Sequence, residues 1–281
     1  IIPTPGAVME CTKLLYEYLG DLIVLDVGGA TTDLHSVTVE SDQVARLMIS
    51  PEPKAKRTVE GDLGVYVNRW KVVESIGEEK LREQCREQGF SMEHALETYR
   101  AIPKTEEEVK LVELLTREAV VKAAERHAGR LRYIYGPSGR STVAEGKDLT
   151  QVKYIVGTGG ALTRLPHREE IMREITRCNE SGMLLLPGEH AQILVDHDYI
   201  MASLGVLSKR YPQAAARLLE QSLGMTFPER KAEEPVPVCN KELSRLGTQR
   251  QQREEELQRH IEECEAMGYD MSAYRENKPK A

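Results

Sequence analysis

The sequence predicts an α/β fold: a mixed sheet with packed helices, an inserted mainly helical subdomain, and a charged tail that is helical or partly disordered. Three observations predict it. Short apolar runs at 22–27 and 152–156 each end in glycines, as buried strands do at a tight turn. Residues 61–150 carry the apolar spacing of helices in a highly charged setting. Residues 229–281 open with a charged, proline-containing linker and become almost wholly polar, without sustained heptads. The predicted boundaries are 1–60 and 151–228 for the core, 61–150 for the insert and 229–281 for the tail.

The elements follow in order. Pro5-Gly6 precede a helical pattern through Val8, Cys11, Leu15 and Leu19, and Gly20 stops it. Strand 22–27 comes next, then a glycine turn, then strand 34–40. Ser41-Asp42 suggest a turn into a third strand at 43–49, giving an antiparallel meander. Thr105-Glu-Glu-Glu108, with Pro103 upstream, is a capping box. Val109, Val112, Leu115, Ala119, Ala123 and His127 then share one helix face, and Gly129 stands where a C-cap belongs. Gly136 to Arg140 mark a turn. Helical patterns return at 168–178 and 199–208, the latter with Ala202 and Gly205, whose small size permits close helix approach.

The richest chemistry lies in Asp26-Val-Gly-Gly-Ala-Thr-Thr-Asp33. Gly28 and Gly29 let backbone N–H groups approach an anion without a Cβ in the way. Thr31 and Thr32 add hydroxyls. Asp26 and Asp33 are acceptors able to hold Mg²⁺, directly or through water, or to orient an attacking water. Carboxylates beside a polyphosphate repel it unless a cation lies between, so this reading predicts a metal. A plain hairpin turn would also use Gly-Gly, yet it does not need two threonines and two aspartates around it. The run is neither a Rossmann nor a Walker phosphate loop. A second cluster, Gly157-Thr-Gly-Gly160, ends the other apolar run. A nucleotide with its phosphates at the first bend and its adenosine at Gly157, Gly159 and Gly160 accounts for both.

At this point the chain resembles a known family. The two bends look like the second phosphate motif and the adenosine motif of the actin-like ATPase superfamily, and Thr58 to Gly64 with Asn68 and Arg69 looks like the glycine-rich lead into its inserted subdomain. More narrowly, Pro3 to Val8, Gly28 to Val37, Arg57 to Gly64, Arg126 to Gly129, Gly146 to Leu149, Gly157 to Gly160 and Asp198 to Leu207 together resemble the MutL (GlmL) family. Those are accessory proteins of adenosylcobalamin-dependent glutamate mutase and related aminomutases, distinct from the mismatch-repair protein that shares the name. The resemblance implies a ribonuclease-H-like second lobe of an actin-like ATPase and an ATP-dependent reactivating function in the cytoplasm. It implies ATP and Mg²⁺ as cofactors and the mutase as partner. It also implies catalytic roles: Asp26 anchoring Mg²⁺ through water, and Asp33 helping to position the attacking water. Gly28, Gly29 and Thr31 would hold phosphate. By the same analogy Lys122 or Arg126 reaches adenine, although solvated surface charges explain both. The superfamily's first lobe opens with its own Asp-x-Gly-x-Thr loop, and none precedes residue 26. The chain also begins Ile1-Ile2, so it reads as the carboxy-terminal portion of a longer protein, with the amino-terminal lobe as a further partner.

Composition narrows the remaining classes. A net charge of −7 argues against nucleic acid as main partner, and one Trp (Trp70) with two Phe (Phe90, Phe227) offers little stacking surface. The five cysteines are scattered without zinc spacing, which suits reduced thiols. No apolar run approaches the roughly 18–20 residues of a membrane helix. His190 and His197 flank Asp196 and Asp198 but do not share a helix face, and His35 alternates with apolar residues as a half-exposed structural histidine would. Ser138, Ser141 and Ser203 lack a nucleophile-elbow setting. No Asp-x-His-x-x-Gly cobalamin motif is present, so the chain does not read as a mutase itself. Two alternatives remain open: a small-molecule kinase of the same superfamily, or a non-catalytic scaffold that keeps the fold.

Overall fold

The chain builds outward from its first helix and strand, and the computed structural model describes residues 2–137 and 139–228. The tail expected at 229–281 lies outside the described residues. Helix α1 (Thr4–Leu19) carries a proline in its first turn, where the N–H groups have no helical acceptor to lose. It buries Val8, Cys11, Leu15 and Leu19, and Gly20 closes it at φ 77° by donating its N–H to the Tyr16 carbonyl. Strands β1 (Leu22–Val27) and β2 (Thr32–Val37) pair antiparallel, from Leu22 opposite Val37 to Val27 opposite Thr32.

The third strand is not at 43–49. Ser41 is a helix cap: its Oγ accepts the Val44 N–H at 3.3 Å and starts the short helix α2 (Asp42–Ala45). The apolar residues taken for a strand pack elsewhere, Val44 with Ala144 and Leu185, and Leu47 and Met48 beside them. The meander is completed by β3 (Ala55–Glu60), antiparallel to β2.

Residues 61–150 hold helices α3 (Arg69–Ile76), α4 (Glu78–Glu87), α5 (Met92–Glu97) and α6 (Glu106–His127), then a separate hairpin of β4 (Arg130–Gly136) and β5 (Gly139–Glu145). The capping box forms as the sequence indicates, with Thr105 Oγ1 accepting the Glu108 N–H and the Glu108 carboxylate accepting the Thr105 N–H. Helix α6 packs directly on the sheet. Leu111, Leu115, Ala119 and Ala123 share one core with Ile23, Leu25 and Leu34. At its end the buried His127 ring bonds Thr58 Oγ1 and Ser36 Oγ at 2.9 and 2.8 Å.

The chain then returns through β6 (Tyr154–Thr158), helix α7 (Gly159–Leu162), helix α8 (Arg168–Arg173) with a 3-10 turn to Thr176, β7 (Gln192–Val195), α9 (Met201–Ser208) and α10 (Pro212–Leu223). The sheet order is β3-β2-β1-β6-β7, with β6 parallel to β1 and β7 parallel to β6. Alternate residues of β1 serve opposite faces. Leu22 and Val24 join α1, α9 and α10, whereas Ile23, Leu25 and Val27 join α6. Each such side chain contributes about 1.5–3 kcal/mol when fully buried, so a one-residue slip is strongly disfavoured. The seam predicted around Gly205 is used within this unit: a Cβ there would collide with the Ala7 carbonyl, so glycine lets α9 close onto α1. Among the described residues, no helix is long and apolar enough to cross a membrane.

Candidate functional site

The alternation that buries β1 leaves Asp26 on the α1 face at the strand's carboxyl end, the end of a parallel sheet where ligands bind. Here the β1–β2 turn, residues 28–31, is held from the segment after β3. Gly28 N–H donates to the Thr31 carbonyl at 2.9 Å. The Gly28 carbonyl accepts from Val65 N at 3.2 Å, and the Gly29 carbonyl from Tyr66 N and Val67 N at 2.9 and 2.7 Å. Asn68 Nδ2 donates to the Ala30 carbonyl at 2.8 Å. Thus every carbonyl from 28 to 31 is occupied, while the exposed N–H groups of Gly29 and Ala30 have no protein acceptor among the described residues. A rigid turn with open N–H groups suits an anion. Neither Gly28 nor Gly29 adopts positive φ. Thr31 is half-exposed with its hydroxyl unpartnered, whereas the buried Thr32 hydroxyl donates to the Leu63 carbonyl at 2.8 Å and braces the turn from below.

Asp26 and Asp33 stand directly opposite each other across the hairpin. Asp33 is only 3% exposed, and its Oδ1 has no hydrogen-bond partner. Burial, then the facing Asp26, raise its carboxyl to about 6, with Arg57 partly opposing. Burial and then Asp196 likewise raise Asp26 above the ordinary carboxylate value. Two facing carboxylates with an orphaned oxygen are a donor set that a hydrated divalent cation fits. Among the described residues, no three His, Cys, Asp or Glu side chains gather as a metal-binding group.

The second bend meets the first. Thr158 pairs with Asp26 across β1 and β6. Gly159 follows at φ 85°, and a Cβ there would lie 2.5 Å from Asp26 Oδ1 and 2.6 Å from the Val27 backbone. Only glycine permits that approach. Gly160 is exposed, with open space where a side chain would stand. Gly157 is buried and leaves room for Met172, and its carbonyl accepts the Asp196 N–H at 2.9 Å. The residues predicted from both clusters therefore converge on one end of the sheet, with the Thr32 hydroxyl, Gly157 and, against expectation, the Gly28 N–H turned to internal support.

The sequence did not single out Thr158 and Asp196 as partners. Asp196 follows β7, fully buried. It accepts Thr158 Oγ1 at 2.8 Å, Ser222 Oγ at 2.5 Å, and the N–H groups of Ile200 and Met201 at 3.2 and 3.0 Å. It caps α9 and ties that helix to the site. An aspartate just after an apolar run and just before a helix was the available signal. Of the groups offered for adenine, Lys122 pairs with Glu125 at 2.8 Å, and Arg126 bridges Glu60 and Asp62 at 2.6 and 2.8 Å. His35 is fully buried in the sheet with both ring nitrogens unpartnered, and burial lowers it to about 3.

Comparison with known proteins adds two findings. A family model described as "MutL protein" matches residues 1–223. "Protein MutL" of Clostridium tetanomorphum is 35% identical over 235 residues, which cover 79% of this chain and 51% of that protein. The chain thus spans about half the length of the curated relative it matches.

Proposed function

The chain belongs to the MutL protein family, and we propose that it is the second, ribonuclease-H-like lobe of an actin-like ATPase that reactivates an adenosylcobalamin-dependent mutase. The observation that carries the ATPase reading is the meeting of the two glycine bends, with Gly159 set against Asp26 and Val27. The strand order β3-β2-β1-β6-β7, antiparallel on one side of β1 and parallel on the other, supports the fold assignment. The mutase as partner, glutamate mutase first, rests on the family resemblance, as does the amino-terminal lobe that would complete the cleft.

In this reading the N–H groups of Gly29 and Ala30, with the Thr31 hydroxyl, bind phosphate oxygens. Gly28 shapes the turn and Thr32 braces it. Asp26 and Asp33 hold hydrated Mg²⁺, which when bound offsets phosphate charge. Asp33, raised to about 6 and with one oxygen free, is placed to take a hydrogen bond from the attacking water. Gly159 and Gly160 give the adenosine side an open backbone surface, and Gly157 seats β6 on α8. Closure of the two lobes on nucleotide would alter affinity for the mutase, releasing damaged cofactor, provided the two states contact the mutase differently.

The test is phosphate release by the full-length protein with Mg·ATP, with and without glutamate mutase carrying inactivated cofactor. Turnover that rises with the inactivated mutase and restored mutase activity are the expected results. Absence of Mg·ATP binding by calorimetry would overturn the nucleotide reading, and turnover indifferent to the mutase would overturn the partner.

A further inference from the structure

The β4–β5 hairpin stands apart from the five-stranded sheet. Its base is anchored, with Leu131 and Ala144 packed beside Val44 and Leu185. Its outer half has no such core. Tyr133, Ile134 and Tyr135 are 48%, 49% and 80% exposed, although a two-stranded ribbon standing free in water is at best marginally stable. The β4 edge is paired at its start and then left open. Leu131 N–H donates to the Met183 carbonyl at 2.7 Å, and the Gly129 carbonyl accepts the Leu185 N–H at 2.8 Å. Residues 129 and 131 therefore point their backbone groups away from β5, and strand alternation turns those of Tyr133 and Tyr135 the same way. The neighbouring segment joins this edge only after Gly182, which turns at φ 65°. Beyond Leu131 the outward N–H and C=O groups of Tyr133 and Tyr135 have no partner among the described residues.

The hairpin is also basic, in a chain whose net charge is −7. It carries Arg130, Arg132 and Arg140 against Glu145 alone. Arg132 is paired with Glu145 at 2.6 Å. Neither Arg130 nor Arg140 has a carboxylate partner among the described residues, and the Arg140 guanidinium lies 4.5 Å over the Tyr133 ring. The register sets Tyr133, Tyr135 and Arg140 on one face of the hairpin and Arg130, Arg132 and Ile134 on the other.

We propose that the β4 edge is a docking site for an extended acidic segment of a partner protein, which adds to the hairpin as a third strand. The open N–H and C=O groups supply the backbone hydrogen bonds. Apolar side chains of the guest lie against Tyr133 and Tyr135, and its carboxylates on the other face meet Arg130 and Arg132. The same arginines repel a second copy of this hairpin, so charge selects an acidic guest over self-pairing. The inference does not depend on the nucleotide reading.

The test titrates the full-length protein with an acetylated Val-Glu-Val-Glu-Val-Glu peptide by calorimetry, with Val-Lys-Val-Lys-Val-Lys as the charge-reversed probe. The glutamate peptide is expected to bind and to slow amide exchange at 130–136, and the lysine peptide to bind at least about tenfold more weakly. Tyr135→Pro removes an N–H that the folded hairpin does not use, at an edge where proline is tolerated. It is expected to cut affinity for the glutamate peptide by about tenfold or more. Thr142→Pro removes the matching unused N–H from β5 and is expected to bind as wild type does. Absence of binding by wild type, equal binding of both peptides, or unchanged affinity in Tyr135→Pro would overturn the proposal. So would equal loss in the two proline variants, which marks a distorted hairpin. Light scattering that shows a dimer in wild type and a monomer in Tyr135→Pro would assign the edge to a second copy and overturn it likewise.

Discussion

Asp33 and Asp196 occupy the same end of the sheet, and both are buried, yet their surroundings are opposite. Asp196 accepts two hydroxyls and two backbone N–H groups. Asp33 faces another carboxylate and has an oxygen with no donor. Buried polar groups are normally satisfied, because an unmet one costs about 1–3 kcal/mol. A carboxylate with its partners inside the protein is architecture. One without them is where something from outside is expected to bind, and the difference separates support from site in two residues that look alike in sequence.

The strongest way to break that comparison is Asp196→Ala. Removing the carboxylate strands the Ile200 and Met201 amides and the Thr158 and Ser222 hydroxyls, and uncaps α9. A loss of about 3 kcal/mol is expected in urea unfolding. A loss below about 1 kcal/mol would mean that Asp196 is not architectural. Gly159→Ala comes next. It places a methyl group against Asp26 and Val27 in a conformation that alanine rarely adopts. About 2 kcal/mol of destabilisation is expected, and Mg·ATP affinity should fall with it. Unchanged stability would argue that the two bends are not in contact.

Asp33→Asn reverses the sign. The carboxyl is raised to about 6 in the folded protein from its ordinary 3.8. Between those values the folded state binds more protons than the unfolded state, so wild-type stability from this group declines as pH rises through that window. Above it, the cost of the buried charge is fully present. Asparagine does not titrate. The variant is therefore expected to be more stable by on the order of 1–2 kcal/mol at pH 8, a gain that disappears towards pH 4. His35 and His127, both lowered to about 3 by burial, impose the opposite slope, but they are present in both proteins and cancel in the difference. Paired unfolding curves across pH 4–8 test this, and a variant less stable than wild type at pH 8 would show that Asp33 has internal partners after all.

How far these roles could be read in advance depends on how local their causes are. The run from Leu22 to Asp33 states strand, turn and returning strand within a dozen residues, from a short apolar run that ends in glycines. The capping box of α6 is equally local. The third strand is not legible at its true place because Ala55 to Glu60 is largely charged and polar, as befits an edge strand, while the apolar residues at 44–48 serve the β4–β5 hairpin and Leu185. Strand β7 is only four residues long, too short a run to announce itself. The position of Asp196 before a helix points to a cap, but its ties to Thr158 and Ser222 are far away in sequence and no local pattern announces them.

The smallest expected effect is also the sharpest contrast, because it sets adjacent threonines against each other. Thr32 is buried with its hydroxyl bonded to Leu63, whereas Thr31 is half-exposed and unpartnered. Thr32→Val removes a buried donor and leaves the Leu63 carbonyl without it, so about 1 kcal/mol of stability should be lost. Thr31→Ala removes nothing the folded chain uses, and its stability should stay within about 0.5 kcal/mol of wild type. The order should invert for Mg·ATP: affinity falls severalfold in Thr31→Ala and holds in Thr32→Val, once the lower stability is allowed for. Calorimetry on both variants decides it. If neither substitution changes nucleotide affinity, the hydroxyl at 31 is no part of the phosphate site. If both do so equally, the turn responds as one rigid piece and the division between brace and contact fails.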